Sequence, residues 1–553
     1  MAATKANGEA AKTSKGTKLD KYAGDFDTVS SGMFHELNHA QFGWFHVKAI
    51  LISGVGFFTD AYDLYTVGLI SQMIALARFP DHLSSKGTLG SLPVGYDMTV
   101  KGTALVGTLI GQLVFGLLGD KLGRKAPYGW TLLIMIFTTI GCAAATWGPP
   151  ATFIGVFAMW RFLLGIGIGG DYPLSAVITS EYTPRHMRGA MMAAVFSMQG
   201  IGFLSASLVA VVVTAAFRSS ISSQCVAGKP CAALDHVWRI IVAIGVVPAI
   251  ATYYLRTRLP ETPRFTAHVE KDMAKAEADM RSVFDNTDDF RKLERAHRDT
   301  AKDAITWASF KAYLGTKRNA LWLFGTASTW FMLDVAFYAQ NLYTPKVVSD
   351  IGYAMPIKPG SSGAVIYDAV FKSVSGTAII IIMGLVPGYF ITVATVEKMG
   401  RRTIQFMGFA MMTILLVICS AAWVPLRAHA LWAFIVLYAL TFLFANWGPN
   451  TTTFIVPGEA FSTKFRSTCH GISAAAGKAG AIVGVYGFGA INDHHGTQLC
   501  LGLLSIFMFA GLLFTFLIPE TTGMSLEAIN DEDVPRHVHL DPEQQDGATK
   551  AKA

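Results

Sequence analysis

Charge is scarce in this sequence: only 15% of its 553 residues are Asp, Glu, Lys or Arg. Soluble domains carry roughly 25%, so an ordinary water-soluble body is excluded. Cysteine is also scarce, with six residues scattered along the chain and no metal-ligand spacing, which excludes a disulfide framework and a zinc site. Only Cys225 and Cys231 share a loop, where a local disulfide stays open; the rest read as free thiols. A phosphate-cradling loop of the GxxxxGK type is absent, which excludes ATP as the energy source. Nothing resembles an active site, so neither an enzyme nor a cofactor is expected. Residues 1–40 are polar and Lys-rich, without an apolar core and small-residue cleavage site. They predict a cytosolic tail followed by a helix that is its own membrane signal.

What the chain has is hydrophobic length. Hydrophobic residues make up 52% and mean hydropathy is +0.41. Runs such as Ala126–Trp147, Met191–Phe217, Thr403–Trp423 and Leu499–Leu517 can each cross a hydrocarbon core of about 30 Å. The 53 Gly residues suit close helix packing in lipid. The net charge of +7 sits in short loops and one central polar segment rather than in an aromatic-lined patch, which argues against nucleic acid. The lipid bilayer is the partner instead.

The pattern predicts an all-α membrane protein of twelve helices, near 46–76, 99–119, 126–147, 151–180, 190–216, 236–256, 319–344, 364–394, 403–424, 430–457, 471–491 and 498–518. The corresponding organisation is a tail (1–45), a six-helix bundle (46–256), a charged connector (257–318), a second six-helix bundle (319–518) and a second tail (519–553). The short loops Asp120–Lys125, Thr183–Gly189, Glu397–Arg402 and Glu459–Arg466 are dense in Lys and Arg. The positive-inside rule therefore places them, and both tails, in the cytosol. The central stretch Lys271–Arg298 reads as a solvated amphipathic helix.

The two halves repeat. Asp120-Lys121-Leu122-Gly123-Arg124-Lys125 returns 277 residues later as Glu397-Lys398-Met399-Gly400-Arg401-Arg402, and Glu181 with Arg188 returns after 278 as Glu459 with Arg466. Two pairs at offsets one residue apart imply parallel repeats, the construction of rocking-bundle transporters. These acids and arginines read as gating latches.

Gly119–Lys125 then resembles the loop motif of the major facilitator superfamily. Trp160–Gly165 and Pro260–Phe265 are similar to motifs of its sugar-porter branch. Gly169-Gly170-Asp171-Tyr172-Pro173-Leu174-Ser175-Ala176-Val177-Ile178-Thr179-Ser180-Glu181 closely resembles the signature of the fungal and plant proton–phosphate symporters. Trp330, Asp334 and Tyr338 match that family's helix 7, and Ala445–Asn450 its helix 10. The resemblance covers roughly residues 45–520. It implies a major facilitator fold, a plasma-membrane location, and inorganic phosphate and protons as the transported partners. It also assigns Tyr172 and Gln199 to the phosphate site, and the repeat places Asn446, 277 residues after Gly169, at the equivalent level of helix 10.

Chemistry singles out the same region. Trp330, Asp334 and Tyr338 lie at i, i+4 and i+8, on one helical face. An acid at mid-membrane costs roughly 2.5–3.5 kcal/mol by insertion scales. With no other charge in its helix, Asp334 is compatible with an anion only when protonated, which would couple proton to anion; the alternative is a structural hydrogen bond between helices. Asp60 and Asp63 share a face of helix 1, while Arg161 and Asp171 lie about 15 Å apart in helix 4 and cannot pair directly. These four, with Asp334, are the candidate proton relay, against the alternative of a static ion-pair cluster. Lys478 either supplies positive potential to a cavity or reaches for a headgroup. Asn450-Thr451-Thr452 matches a glycosylation sequon but lies in a predicted helix. A sugar porter and a phosphate-sensing receptor are the competing readings. Oligomeric state is not legible.

Overall fold

The computed structural model describes residues 43–84, 87–145, 148–257, 261–270, 272, 275 and 306–530. Most of both tails and most of the predicted connector helix lie outside the described residues. Twelve long helices follow one another: α1 (Trp44–Arg78), α2 (Val94–Leu122), α3 (Lys125–Ala144), α4 (Pro150–Tyr182), α5 (Arg188–Ala216) and α6 (Ala232–Ile244, continued by Val246–Thr257) form the first half. The second comprises α7 (Lys317–Asp350), α8 (Gly363–Met399), α9 (Arg401–Ala421), α10 (Leu431–Ala460), α11 (Arg466–His495) and α12 (Thr497–Leu517). Eleven are long and apolar enough to span a bilayer. The other, α1, carries Asp60 and Asp63 at mid-length; its 35 residues reach about 52 Å at 1.5 Å per residue.

Glycines decide which helices touch. Gly107 and Gly111 of α2 face Gly165 and Gly169 of α4 so closely that a Cβ on any of the four would strike the partner's backbone. In the second half Gly480 and Gly484 of α11 seat the Phe331 and Val335 carbonyls of α7 in the same way. Small residues thus replace the hydrophobic drive that lipid cannot supply.

Three of the helix interruptions bear on the interior. Helix α4 carries Pro173 internally, and α8 contains a π-helical turn at Ile381–Leu385. Helix α10 stops at Asn446 and restarts at Pro449. Proline lacks the N–H and π-turns leave a ladder mismatch, so each break frees polar backbone inside the bundle.

The sequence repeat is also a structural one. Gly123 and Gly400, with φ of 92° and 83°, end α2 and α8 where a side chain would be strained. Arg124 Nη2 then lies 3.1 Å from Glu181 Oε1, and Arg401 Nη2 lies 3.0 Å from Glu459 Oε1. Glu261 accepts the backbone N–H groups of Arg124 and Lys125, as Glu520 accepts those of Arg401 and Arg402. A carboxylate at each of these helix starts complements the dipole.

The halves are tied at both ends. At the motif-bearing end, Glu181 accepts from Arg466 Nη1 at 3.0 Å. Asp120 accepts the N–H groups of Ser467 and Thr468 at the start of α11, and Glu397 accepts that of Ala190 at the start of α5. Each loop acid therefore caps a helix of the other half. Arg188 donates to the Met524 carbonyl at 3.1 Å. At the opposite end Leu89 N donates to Ile357 O at 2.8 Å, and Ala227 N to Ser361 O at 3.1 Å. The conformation is occluded.

Candidate functional site

Between the two closures the halves meet on polar side chains. Gly477 leaves room for the Trp330 indole against α11, because a Cβ there would overlap the ring. That seating, with Gly480 and Gly484, brings Lys478 to Asp334. Their Nζ–Oδ2 distance is 2.7 Å and each side chain is 1% exposed. The ammonium also lies 4.2 Å from the Tyr338 ring centroid and 5.1 Å from that of Tyr172, both within cation–π range. One cation thus touches residues of both halves.

A hydrogen-bonded chain closes the other side. Gln199 Nε2 donates to Tyr172 Oη at 3.0 Å, and Tyr389 Oη donates to Gln199 Oε1 at 2.6 Å. Asn450 Nδ2 donates to Tyr389 Oη at 2.8 Å and to Asn446 Oδ1 at 2.7 Å. All of these residues are buried. The helix breaks make this possible: the π-turn of α8 precedes Tyr389, and the gap in α10 separates Asn446 from Asn450. On the motif-bearing side this polar cluster rests on aromatic rings. Phe196 stacks on Phe454 at 4.6 Å, Phe57 meets both Phe454 and Tyr172 edge-on, and His470 stands edge-on between Trp330 and Phe454.

The carboxylates of the first half are organised differently from the expected relay. Asp171 is paired with Arg256, whose Nη2 donates to Oδ2 at 3.0 Å. Arg256 comes from the end of α6, and the sequence reading did not single it out. Gly56 of α1 is required there, since a Cβ would overlap both partners. Arg161 donates to the backbone carbonyl of Asp63 at 2.7 Å rather than to its carboxylate, which accepts from Thr139 at 2.8 Å. Asp60 is fully buried, and neither of its oxygens has a hydrogen-bond partner among the described residues. Its charged neighbours are Asp171, Arg256, Asp63 and Lys478. Asp60 is therefore coupled electrostatically to the Asp171–Arg256 pair and, more weakly, to Lys478.

Of the residues selected from sequence, Tyr172, Gln199, Trp330, Asp334, Tyr338, Asn446 and Lys478 converge on this polar cluster, and Asp60 is coupled to it electrostatically through Lys478. Asp63 and Arg161 line a separate water-sized void with Thr66 and Cys142. Asp120, Arg124, Glu181, Arg188, Glu397, Arg401, Glu459 and Arg466 lie at the motif-bearing end. Lys478 does not reach a headgroup. The sequence reading missed Tyr389, Asn450, His470 and Arg256. Asn450 is buried, which removes it as a glycosylation site.

Residues 48–532 match the family of sugar (and other) transporters. A probable inorganic phosphate transporter 1-3 of Oryza sativa subsp. japonica is 44% identical over 517 residues, 90% of this chain and 96% of the relative. The probable inorganic phosphate transporter 1-6 of Arabidopsis thaliana is 44% identical, covering 91% and 96%. The repressible high-affinity phosphate permease of Neurospora crassa is 39% identical, covering 90% and 88%. Among solved structures, the major facilitator proton:xylose symporter XylE bound to 6-bromo-6-deoxy-D-glucose superposes with a TM-score of 0.68 at 18% identity, over 88% of this chain and 98% of that one. At that identity the likeness concerns the fold alone. The chain is a multi-pass membrane transporter that belongs to the sugar (and other) transporter family of the major facilitator superfamily, alongside the inorganic phosphate transporters of plants and fungi.

Proposed function

We propose that this chain imports inorganic phosphate with protons across the plasma membrane by alternating access, both termini lying in the cytosol. The relatives' names support the substrate. The observation that carries the coupling is the buried Lys478–Asp334 pair, at 2.7 Å. While Asp334 is ionised it neutralises Lys478, the cation that sits against the Tyr172 and Tyr338 rings. Once a proton lands on Asp334 the attraction is removed, the carboxyl becomes a donor, and Lys478 is released toward an anion. Lys478, the Trp330 indole, the Tyr172 and Tyr338 hydroxyls and the amides of Gln199 and Asn446 then offer donors on several sides. Such a set suits the tetrahedral oxygens of dihydrogen phosphate. Reciprocity follows: the proton favours phosphate, and phosphate, by holding Lys478, favours the proton.

Asp60, Asp63, Asp171 and Arg161 form the relay that delivers the proton. Asp60 is its last step, because it is coupled to the Asp171–Arg256 pair and to Lys478 and is held by no hydrogen bond among the described residues. The bundle end dense in Lys and Arg faces the cytosol. The opposite end carries a Cys225–Cys231 disulfide, which suits an oxidising exterior. Uptake of labelled phosphate into vesicles tests the substrate, with sulfate and xylose as competitors. Phosphate uptake resistant to both competitors is the expected result; xylose uptake without phosphate uptake would replace this reading with the sugar-porter one.

A further inference from the structure

The outer ends of the two halves touch through backbone, and a disulfide sits at that contact. After α5, a short helix (Arg218–Gln224) leads into a loop closed by the Cys225–Cys231 bond. Both cysteines are buried. Within this loop Val226 pairs with Ser362 as an antiparallel bridge, and Ala227 N donates to Ser361 O at 3.1 Å. The partners lie just before α8, in the other half. The approach is close enough that a Cβ on Gly363 would overlap the carbonyls of Ile221 and Ser222. Cys231 N also donates to Leu76 O of α1 at 3.3 Å, so one loop joins α1, α5 and α8. These contacts cross between bodies that must part when the outer end opens.

We propose that the disulfide-closed loop is the outer latch of the transporter, with residues 361–363 as its keeper. A bridge of two residues is weak alone, because ordering a free loop costs about 1–2 kcal/mol per residue in backbone entropy. The cystine lowers that cost by holding residues 226–230 between fixed ends. With the bond intact the latch re-forms readily and the closed-outside state is favoured. With the bond reduced the loop frays, and the outward-open population rises. The outer gate is thereby sensitive to the redox state of its surroundings. The latch presupposes that the halves move, but it does not depend on phosphate being the substrate.

The test is labelling of a Leu342→Cys reporter by a membrane-impermeant maleimide applied from outside, without substrate. Leu342 is buried at the outer crossing of α1 and α7, where its backbone abuts Gly68. Labelling is expected to accelerate about 3–10-fold in Cys225→Ser/Cys231→Ser, and likewise in Gly363→Ala, which wedges the keeper without touching sulfur. An impermeant reductant, removed before labelling, should accelerate modification of the reporter at position 342 in the otherwise native chain, read by peptide mass spectrometry apart from the freed Cys225 and Cys231 thiols, which covers the case of variants that fail to fold. It should leave the Ser pair unchanged. Labelling at an unaltered rate in the folded variants and under reductant would overturn the latch alone. Free thiols at Cys225 and Cys231 in the untreated protein would overturn it too. A reporter that never labels, with or without an imposed proton gradient and phosphate, would overturn the moving halves on which the latch depends.

Discussion

Lys478 Nζ lies 2.7 Å from Asp334 Oδ2, deep in the bundle and between the rings of Tyr172 and Tyr338. Two opposite charges buried together are worth little as net stability, because desolvation offsets their attraction. Removing one partner is different, as it strands the other. Lys478→Ala should therefore lower phosphate affinity at least 10-fold, read by titration calorimetry on purified protein. It should also destabilise the fold, by about 3–5 kcal/mol if the loss is like that of other buried pairs. Adding Asp334→Asn should restore most of the stability and none of the affinity. Recovery of affinity in the double variant would remove Lys478 from the site.

The Asp171–Arg256 pair makes a second prediction. Arg256→Gln removes the ion-pair partner of Asp171 and leaves two buried acids, Asp171 and Asp60, less compensated. Transport should fall more than 10-fold, with its pH profile displaced. Gly56→Ala should produce a similar loss without altering any charge, because the new Cβ occupies the pair's position. Normal transport by a folded Gly56→Ala protein would contradict the geometry.

At the motif-bearing end Glu181 serves Arg124 of its own half and Arg466 of the other. Glu181→Gln retains the shape and loses the charge. Cysteine reporters near Phe454 should become several-fold more reactive from the cytosolic face, and phosphate release should accelerate relative to uptake. Unchanged reactivity would place the latch in Asp120 and Glu397 alone.

Glu520, outside the membrane span, predicts a pH effect on stability. Burial raises its carboxyl, but the Thr522 hydroxyl and the N–H groups of Arg402 and Arg401 outweigh it and hold the group below its ordinary range. A folded-state value below the unfolded one gives stability that is present above about pH 4.3 and lost as pH falls through that region. The melting temperature should drop by a few degrees between about pH 5 and pH 3.5. Glu520→Gln should start lower at pH 7 and flatten this dependence.

The repeat explains why so much of the architecture was legible. Runs of apolar residues specify helices one at a time, and an offset of 277 residues superposes the Arg124–Glu181 and Arg401–Glu459 latches without any tertiary information. The face of Trp330, Asp334 and Tyr338 follows from periodicity within one helix. Contacts between helices were not legible in this way. Lys478 and Asp334 are 144 residues apart, and nothing local to Lys478 separates a cavity cation from a snorkelling one. Arg256 sits where a helix-end arginine reads as a cytosolic anchor, yet it turns inward to Asp171. Asn450 carried a sequon that concealed its contact with Tyr389. The expectation for Asp334 changes accordingly. With Lys478 beside it the ionised acid no longer repels an anion unopposed, and the proton's task becomes the release of a cation.

Accumulation of labelled phosphate in vesicles under an imposed proton gradient, for the native chain and for Asp334→Asn, tests that release most directly. The native chain should concentrate phosphate when the gradient is present and only equilibrate it when the gradient is collapsed. Asp334→Asn, with Lys478 permanently free, should still bind phosphate yet equilibrate it whether or not the gradient is imposed. Gradient-driven accumulation that survives undiminished in Asp334→Asn would contradict the account.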